Sequence, residues 1–173
     1  LGLRFDYEIM DGITLTSLVP AQVFDLVNAG LKPPHILRAV LVGGGRLEDA
    51  LYQKATALGW PLLPGYGMTE AASQIATARP GGNGTLHLLP CWEARTDDAG
   101  RLLLRGAPLL SGCMVPSPDG WTFQGALDVD GWFTTADRVR LDGRVLTHLG
   151  RYDRVLKVLG ELVSRIGGRR ACL

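Results

Sequence analysis

Cysteine is scarce in this chain. There are three in 173 residues, at Cys91, Cys113 and Cys172, far apart and in no CxxC pair. That number and spacing argue against a disulfide framework or a closed zinc site and leave free thiols. Long apolar runs are also missing, and none approaches the ~18 residues of a membrane span. No basic stretch followed by an apolar run opens the sequence, so no secretory signal is read and the cytoplasm is the expected compartment. Charge of one sign is missing too: the net charge is +1 and the pI about 7.9. Lysine occurs only at Lys32, Lys54 and Lys157, and the remaining cations are arginines scattered along the chain. There is no concentrated basic field of the kind that nucleic-acid binding needs.

What the sequence does hold is apolar residues, at 46%, and glycine, at 23 positions. The apolar content excludes a disordered chain. It is enough for one domain, or one and a small part of another, burying about two-thirds of the unfolded surface. Glycine is nearly double the usual ~7%. Many turns are expected, or close approaches of backbone to a ligand.

The first half alternates strand and helix signals. Ile13 to Val19 is β-rich and short. Pro20 suits a first helical position, and Val23, Leu26 and Val27 form a stripe that stops at Gly30. Ala39-Val40-Leu41-Val42 reads as a strand apolar on both faces, followed at once by Gly43-Gly44-Gly45. Leu47, Ala50, Leu51, Ala55 and Leu58 recur at helical spacing up to Gly59, with Glu48 and Asp49 where a helix dipole favours them. Leu62-Leu63 begins a short strand ending at Pro64-Gly65. Strand, helix, strand, helix, strand implies an α/β unit with a parallel sheet. Ligands of such sheets sit beyond the carboxyl ends of the strands. The loops 43–46 and 65–70 fall there.

The second half changes character. Short β-type segments alternate with turn signals such as Asp97-Asp98-Ala99-Gly100. Asp142-Gly143 reads as a two-residue hairpin loop. Pro108, Pro116 and Pro118 exclude long helices. Residues 1–80 are therefore expected as the α/β part and 81–149 as a small antiparallel β subdomain, with the linker at Pro80-Gly81-Gly82.

Three polar constellations stand out. In Gly65-Tyr66-Gly67-Met68-Thr69-Glu70, glycines let backbone approach a ligand and Tyr66 offers a flat ring. Thr69 offers a hydroxyl to phosphate, and Glu70 a carboxylate to a hard cation such as Mg²⁺. Spacing alone favours a glycine-rich turn, with Tyr66 on a core edge and Glu70 in solvent. In Gly131-Trp132-Phe133-Thr134-Thr135-Ala136-Asp137, a carboxylate after a β-type run can bridge two vicinal hydroxyls, although a turn aspartate explains it as simply. Gly150-Arg151-Tyr152-Asp153 through Gly160-Glu161 reads alone as a charged linker with a short strand. His35, His87 and His148 read as structural or surface residues.

Together, in this order, the three constellations resemble motifs of the adenylate-forming superfamily of acyl-CoA synthetases, adenylation domains and luciferases. Gly65 to Glu70 resembles its aromatic-Gly-x-Thr-Glu motif, and Gly43 to Gly45 its glycine loop. Trp132 to Asp137 is similar to Trp-Phe-x-Thr-Gly-Asp, and Gly150 to Gly160 to the Gly-Arg-x-Asp hinge motif and its following glycine. Within the superfamily, Thr16 to Gln22 and Tyr66 to Ile75 look most like the branch that activates 2-succinylbenzoate for menaquinone and phylloquinone. Fatty- and aryl-acid–CoA ligases and carrier-loading adenylation domains carry related strings. From another class, a non-catalytic nucleotide- or acyl-binding remnant is the alternative.

The resemblance implies an ATP-dependent acid–CoA ligase working through an acyl-adenylate, with ATP, Mg²⁺ and coenzyme A as its small molecules. It implies that Tyr66 and Gly67 lie against adenine, with Gly43, Gly44 and Gly45 beside the base and the acid. Thr69 would bond the α-phosphate and Glu70 would ligate Mg²⁺. Asp137 would hold the ribose hydroxyls with help from Arg151. Residues 150–154 would be the hinge, turning about Asp153, and 155–173 the start of a C-terminal lid. Gly160 would border the coenzyme A channel. Ala136 stands where the motif has Gly, which matters only if that residue needs positive φ. Arg154 stands where a second Asp is frequent, and residues 164–173 depart from the usual continuation. The superfamily's phosphate loop and lid lysine are not among these residues. The chain thus reads as a partial sequence, and alone it is not expected to turn over substrate. No oligomeric state is legible.

Overall fold

Pro20 opens the first helix, where its fixed φ suits the first turn and its missing N–H costs nothing. In the computed structural model, which describes residues 12–152, 155–158, 161–166 and 169–172, this helix follows the first strand directly. The chain divides at Leu89–Pro90 into two units, with Glu70–Ala72 assigned to the second.

The first unit runs β1 (Leu15–Leu18), α1 (Pro20–Asn28), β2 (Ala39–Val42), α2 (Asp49–Ala57), β3 (Leu62–Met68), β4 (Ser73–Ala78) and β5 (Leu86–Leu88). Its strands lie in the order β1-β2-β3-β4-β5. The first three are parallel, with Leu18 opposite Val42 and Val42 opposite Pro64. The last two are antiparallel. Val19 caps α1 without a side-chain acceptor, but Gln22 reaches back and its Oε1 accepts the Val19 N–H at 2.9 Å. That is half of a capping box. Val23 and Leu26 of α1, Ala55 of α2, and Leu18, Val40, Val42 and Leu62 of the strands bury together with Leu37 and Trp60. Each of the larger aliphatic side chains contributes ~1.5–3 kcal/mol by leaving water. The Trp60 indole N–H donates to the Leu31 carbonyl at 2.8 Å, so its polar edge is satisfied inside the core.

Two strand expectations change here. Strand β2 is not buried on both faces: Val40 and Val42 are, but Leu41 between them is 41% exposed. Among the described residues the core lies on one side of this strand. Nor does β3 stop at Pro64-Gly65; it continues to Met68. Pro64 falls where β3 changes partner, from β2 on Leu62–Pro64 to β4 on Gly65–Met68. A missing N–H is tolerated at such a break in the ladder. The turn at Pro80-Gly81-Gly82, read as a linker, lies inside this unit between β4 and β5.

The second unit holds β6 (Glu93–Thr96), β7 (Arg101–Arg105), β10 (Phe133–Asp142) and β11 (Val145–Arg151), adjacent in the order β11-β10-β7-β6 and antiparallel. A separate hairpin pairs β8 (Gly112–Ser117) with β9 (Gly120–Gly125). A three-stranded antiparallel sheet pairs β12 (Val155–Val158), β13 (Glu161–Ile166) and β14 (Arg169–Cys172). Trp92, Leu102, Leu104, Val139 and Leu146 are the buried centre of the larger sheet. The β10–β11 loop sits one residue later than expected: Asp142 still pairs with Val145, so the loop is Gly143–Arg144.

Two five-residue loops in this unit share one design. In Asp97–Arg101, the Asp97 N–H donates to the Arg101 carbonyl at 3.1 Å. The Ala99 and Arg101 N–H groups donate to Asp97 Oδ1 at 3.0 and 2.8 Å. In Asp128–Trp132, the Asp128 N–H donates to the Trp132 carbonyl at 2.9 Å. The Asp130 and Trp132 N–H groups donate to Asp128 Oδ1 at 3.0 and 2.8 Å. An aspartate side chain thus closes each loop on its own backbone. The second loop delivers Trp132 to a buried place beside two guanidinium groups, with Arg95 at 4.2 Å and Arg105 at 4.7 Å from its ring centre. Arg105 is itself held by Glu93.

Candidate functional site

The carboxyl ends of β1, β2 and β3 point the same way, so the connections that leave them gather along one edge of the first unit. The glycine stretch after β2 is tied there. The Gly43 N–H donates to the Leu18 carbonyl at 3.2 Å. Gly44 and Gly45 lie against Val19 and Pro20, at the junction of β1 with α1.

The Gly65 to Glu70 segment is strand as far as Met68, then a 3₁₀ turn over Thr69–Ala71. Tyr66 is half-buried, while Thr69 and Glu70 are exposed. Gly67 is the residue that the backbone cannot replace. A Cβ there would sit 1.6 Å from the Ser73 carbonyl oxygen, because β4 passes directly against it. This close approach goes with a bulge: Tyr66 pairs with Ala76 and Gly67 with Gln74, leaving Ile75 as an extra residue on β4. The Ile75 carbonyl accepts the Leu89 N–H at 2.9 Å. Beyond the 3₁₀ turn, Ala72 and Ser73 have φ of 49° and 100°, conformations that side chains rarely adopt. The turn is anchored by buried Ala71, and the Glu70 carbonyl accepts the Leu110 N–H at 2.9 Å. The Thr69 and Glu70 side chains therefore stand exposed on a turn whose backbone is tightly held.

In the second unit the conspicuous group is Asp137. It lies in β10, is 7% exposed, and with Thr135 makes up the buried polar residues of the described chain. Strand β10 loses register with β7 here: Thr134 faces Leu103, and the next pair is Arg138 with Arg101. Across that break Thr135 Oγ1 accepts the Asp137 N–H at 3.1 Å. A side-chain hydroxyl thus takes a place that a regular ladder would give to a neighbouring strand. On the other side Arg151 is directly opposite Asp137 in β11. Arg151 Nη1 is 3.7 Å, and His148 Nε2 3.6 Å, from Asp137 Oδ1. A nearly buried carboxylate faced by a guanidinium and an imidazole can accept hydrogen bonds from paired hydroxyls without leaving an uncompensated charge.

Gly43, Gly44 and Gly45 share an edge with the end of β3, and Asp137 and Arg151 share a register position. Ala136 has no positive φ, so its methyl in place of hydrogen costs no backbone strain. Asp153 and Gly160 lie outside the described residues. Thr135 and His148 are residues whose contacts with Asp137 the sequence did not disclose. For Thr135 the available signal was a hydroxyl two residues before the aspartate. For His148 it was a glycine, Gly150, inside a β pattern, which marks a possible bulge.

No family model matches the chain. It is 30% identical over 159 residues to 2-succinylbenzoate–CoA ligase of Staphylococcus aureus (strain MSSA476), covering 83% of this chain and 31% of that protein. Among solved structures, it is similar to Escherichia coli MenE with a bound m phenylether-linked analogue of OSB-AMS. That likeness has 26% identity and a TM-score of 0.70, covering 91% of this chain and 34% of the other. Bacillus subtilis O-succinylbenzoate Coenzyme A Synthetase (MenE), in complex with ATP and magnesium ion, has the same fold at 21% identity. Its TM-score is 0.70, with 95% of this chain and 37% of the other covered. The resemblance read from the motifs is borne out, and the α/β part with its β-rich continuation is the fold of these ligases over the matched third. The chain spans about a third of the length of the relatives it matches. No helix among the described residues is long and apolar enough to cross a membrane.

Proposed function

We propose that this chain supplies the adenylate-binding part of an AMP-forming acid–CoA ligase, acting on 2-succinylbenzoate in menaquinone or phylloquinone biosynthesis. What carries the reading is Asp137, a carboxylate 7% exposed, clipped by Thr135 and faced by Arg151, at the motif position that grips ribose. Two vicinal hydroxyls can donate to its two oxygens, while Arg151 offsets its charge. Tyr66 and Gly67 would lie along the adenine face, with Gly43, Gly44 and Gly45 bordering the base and the acid. Thr69, exposed on the 3₁₀ turn, would donate to an α-phosphate oxygen.

Among the described residues no three carboxylate, imidazole or thiol groups come together to enclose a metal. A lone carboxylate such as Glu70 fits Mg²⁺ that keeps phosphate oxygens and water as its other ligands. When bound, that ion offsets charge on the phosphates. Residues 150–154, with Asp153, serve as the hinge in this reading, and 155–173 begin the lid. Gly160 then borders the coenzyme A channel. The cytoplasm, which holds ATP and coenzyme A, is the implied compartment.

The test is ATP–pyrophosphate exchange driven by 2-succinylbenzoate, with fatty and aryl acids as a panel, in the protein that carries this chain. Exchange with succinylbenzoate is expected. In Asp137→Ala, two charge-assisted hydrogen bonds of ~1.5–3 kcal/mol each are lost, so nucleotide affinity should fall about 10²–10⁴-fold. No exchange with any acid, or unchanged affinity in a folded Asp137→Ala, sinks the reading.

A further inference from the structure

His148 and Arg151 are three residues apart on one strand. In a regular strand an odd separation puts two side chains on opposite faces. Here it does not. Arg138 pairs with Gly150 and the next residue, Val139, pairs with His148, so Leu149 is an extra residue with no place in the ladder. Residues directly opposite across a ladder share a face, and so do residues two apart on one strand. Arg151 therefore shares the face of Asp137. His148, opposite Val139, is carried onto that face by the bulge. Gly150 next to the inserted residue has φ of 127°, a conformation open to glycine and strained for any other residue. The result is the convergence of an imidazole and a guanidinium on one oxygen, Asp137 Oδ1, at 3.6 and 3.7 Å. Both are close contacts, longer than hydrogen bonds. The His148 side chain is a third exposed, and that of Asp137 a tenth. Bulges beside binding sites commonly re-aim a side chain in this way.

We propose that His148 is a positioning residue for Asp137: brought over by the Leu149 bulge, its imidazole shares Oδ1 with Arg151 and fixes the plane in which the carboxylate meets vicinal hydroxyls. A carboxylate with an imidazole and a guanidinium both close to one oxygen is restricted in its rotation about the Cβ–Cγ bond. The plane of the carboxylate is then set before ligand arrives, which spares part of the ordering cost of binding. The partner is a cis-diol-bearing nucleotide, and the inference rests on the ribose-gripping role of Asp137 proposed above.

The experiment is calorimetric titration of the protein that carries this chain with AMP and with 2′,3′-dideoxy-AMP. The variants are His148→Leu, His148→Gln and Asp137→Asn, each checked by thermal unfolding. His148→Leu should weaken AMP by about 2- to 5-fold, the scale of one partly exposed polar contact, and leave the dideoxy compound unchanged. His148→Gln, which keeps a donor at a similar reach, should recover most of the loss. Asp137→Asn should weaken AMP by more than His148→Leu. Unchanged AMP affinity in His148→Leu, with a loss in Asp137→Asn, overturns the positioning role and leaves the ribose reading intact. No loss in either variant overturns both. Equal weakening of both ligands, or failure of Gln to rescue, marks His148 as structural only and overturns the proposal.

Discussion

Thr135 Oγ1 and the backbone N–H of Asp137 are hydrogen-bonded at 3.1 Å, within a strand rather than at a turn. The same hydroxyl lies 3.4 Å from the Asp137 carbonyl. Both residues are buried, and the bond spans the point where β10 loses register with β7. The Thr-x-Asp spacing thus has a local mechanical reason, independent of any ligand. The hydroxyl bonds to backbone two residues on, as Ser and Thr do in short side-chain motifs.

Thr135→Val tests this. It keeps the shape and removes the acceptor, so a buried N–H loses this partner at a cost of about 1–3 kcal/mol. Urea unfolding should show a lower midpoint at an unchanged slope. Thr135→Ser, which keeps the hydroxyl, should lose less. If Val and wild type unfold together, the bond is incidental.

A second prediction concerns Gly67. The Ser73 carbonyl lies where its Cβ would be, and that carbonyl belongs to backbone, which cannot rotate aside. Gly67→Ala should therefore force β3 and β4 apart and cost at least the ~1–3 kcal/mol of an overpacked site. A drop in thermal midpoint is the measurement. By contrast, alanine at Gly125, where nothing lies within 4 Å and φ is not positive, should be tolerated. Equal tolerance at both positions would mean that the approach of β4 to Gly67 is not obligatory.

The elements that sequence exposed are those decided by local chemistry. The α1 start at Pro20 and the α2 stop before Gly59 depend on backbone restrictions carried by single residues. The loop closed by Asp97 is likewise written in an aspartate and a glycine three residues on. What the sequence did not expose depends on pairing. Whether Leu41 is covered depends on what packs against its face of the sheet. Whether β3 ends at Pro64 depends on a second neighbour taking over at Gly65. The candidate site divides in the same way. Asp137 and Arg151 were legible because a motif fixes them. His148 was not, because one inserted residue, Leu149, reverses the side to which it points. A one-residue slip in a strand changes faces without changing any propensity.

The Asp97 loop yields a prediction in pH. Asp97 Oδ1 accepts the Arg101 N–H at 2.8 Å, and Oδ2 accepts the Arg101 guanidinium at 2.7 Å. Its carboxyl is held below the ordinary carboxylate range, first by the Arg101 backbone N–H. The Arg101 side chain and the Ala99 N–H add to this, while desolvation opposes it. A carboxyl whose folded value is lowered binds its proton more readily in the unfolded chain. Its contribution to stability is therefore present above the unfolded value, about 3.9, and lost as pH falls through the lower folded value. Asp97→Asn keeps a carbonyl for the backbone donors but removes the charge that faces Arg101. Relative to wild type, the variant should be less stable at neutral pH, and the gap should close as pH falls below about 4. The Glu93–Arg105 pair, where Glu93 is also held low by its bond to Arg105, is common to both proteins and cancels in the difference. Urea midpoints of the two proteins at a series of pH values from neutral down to strongly acid supply the measurement. A gap that stays constant over that range would show that the charge of Asp97 adds nothing to the loop beyond the geometry an amide can copy.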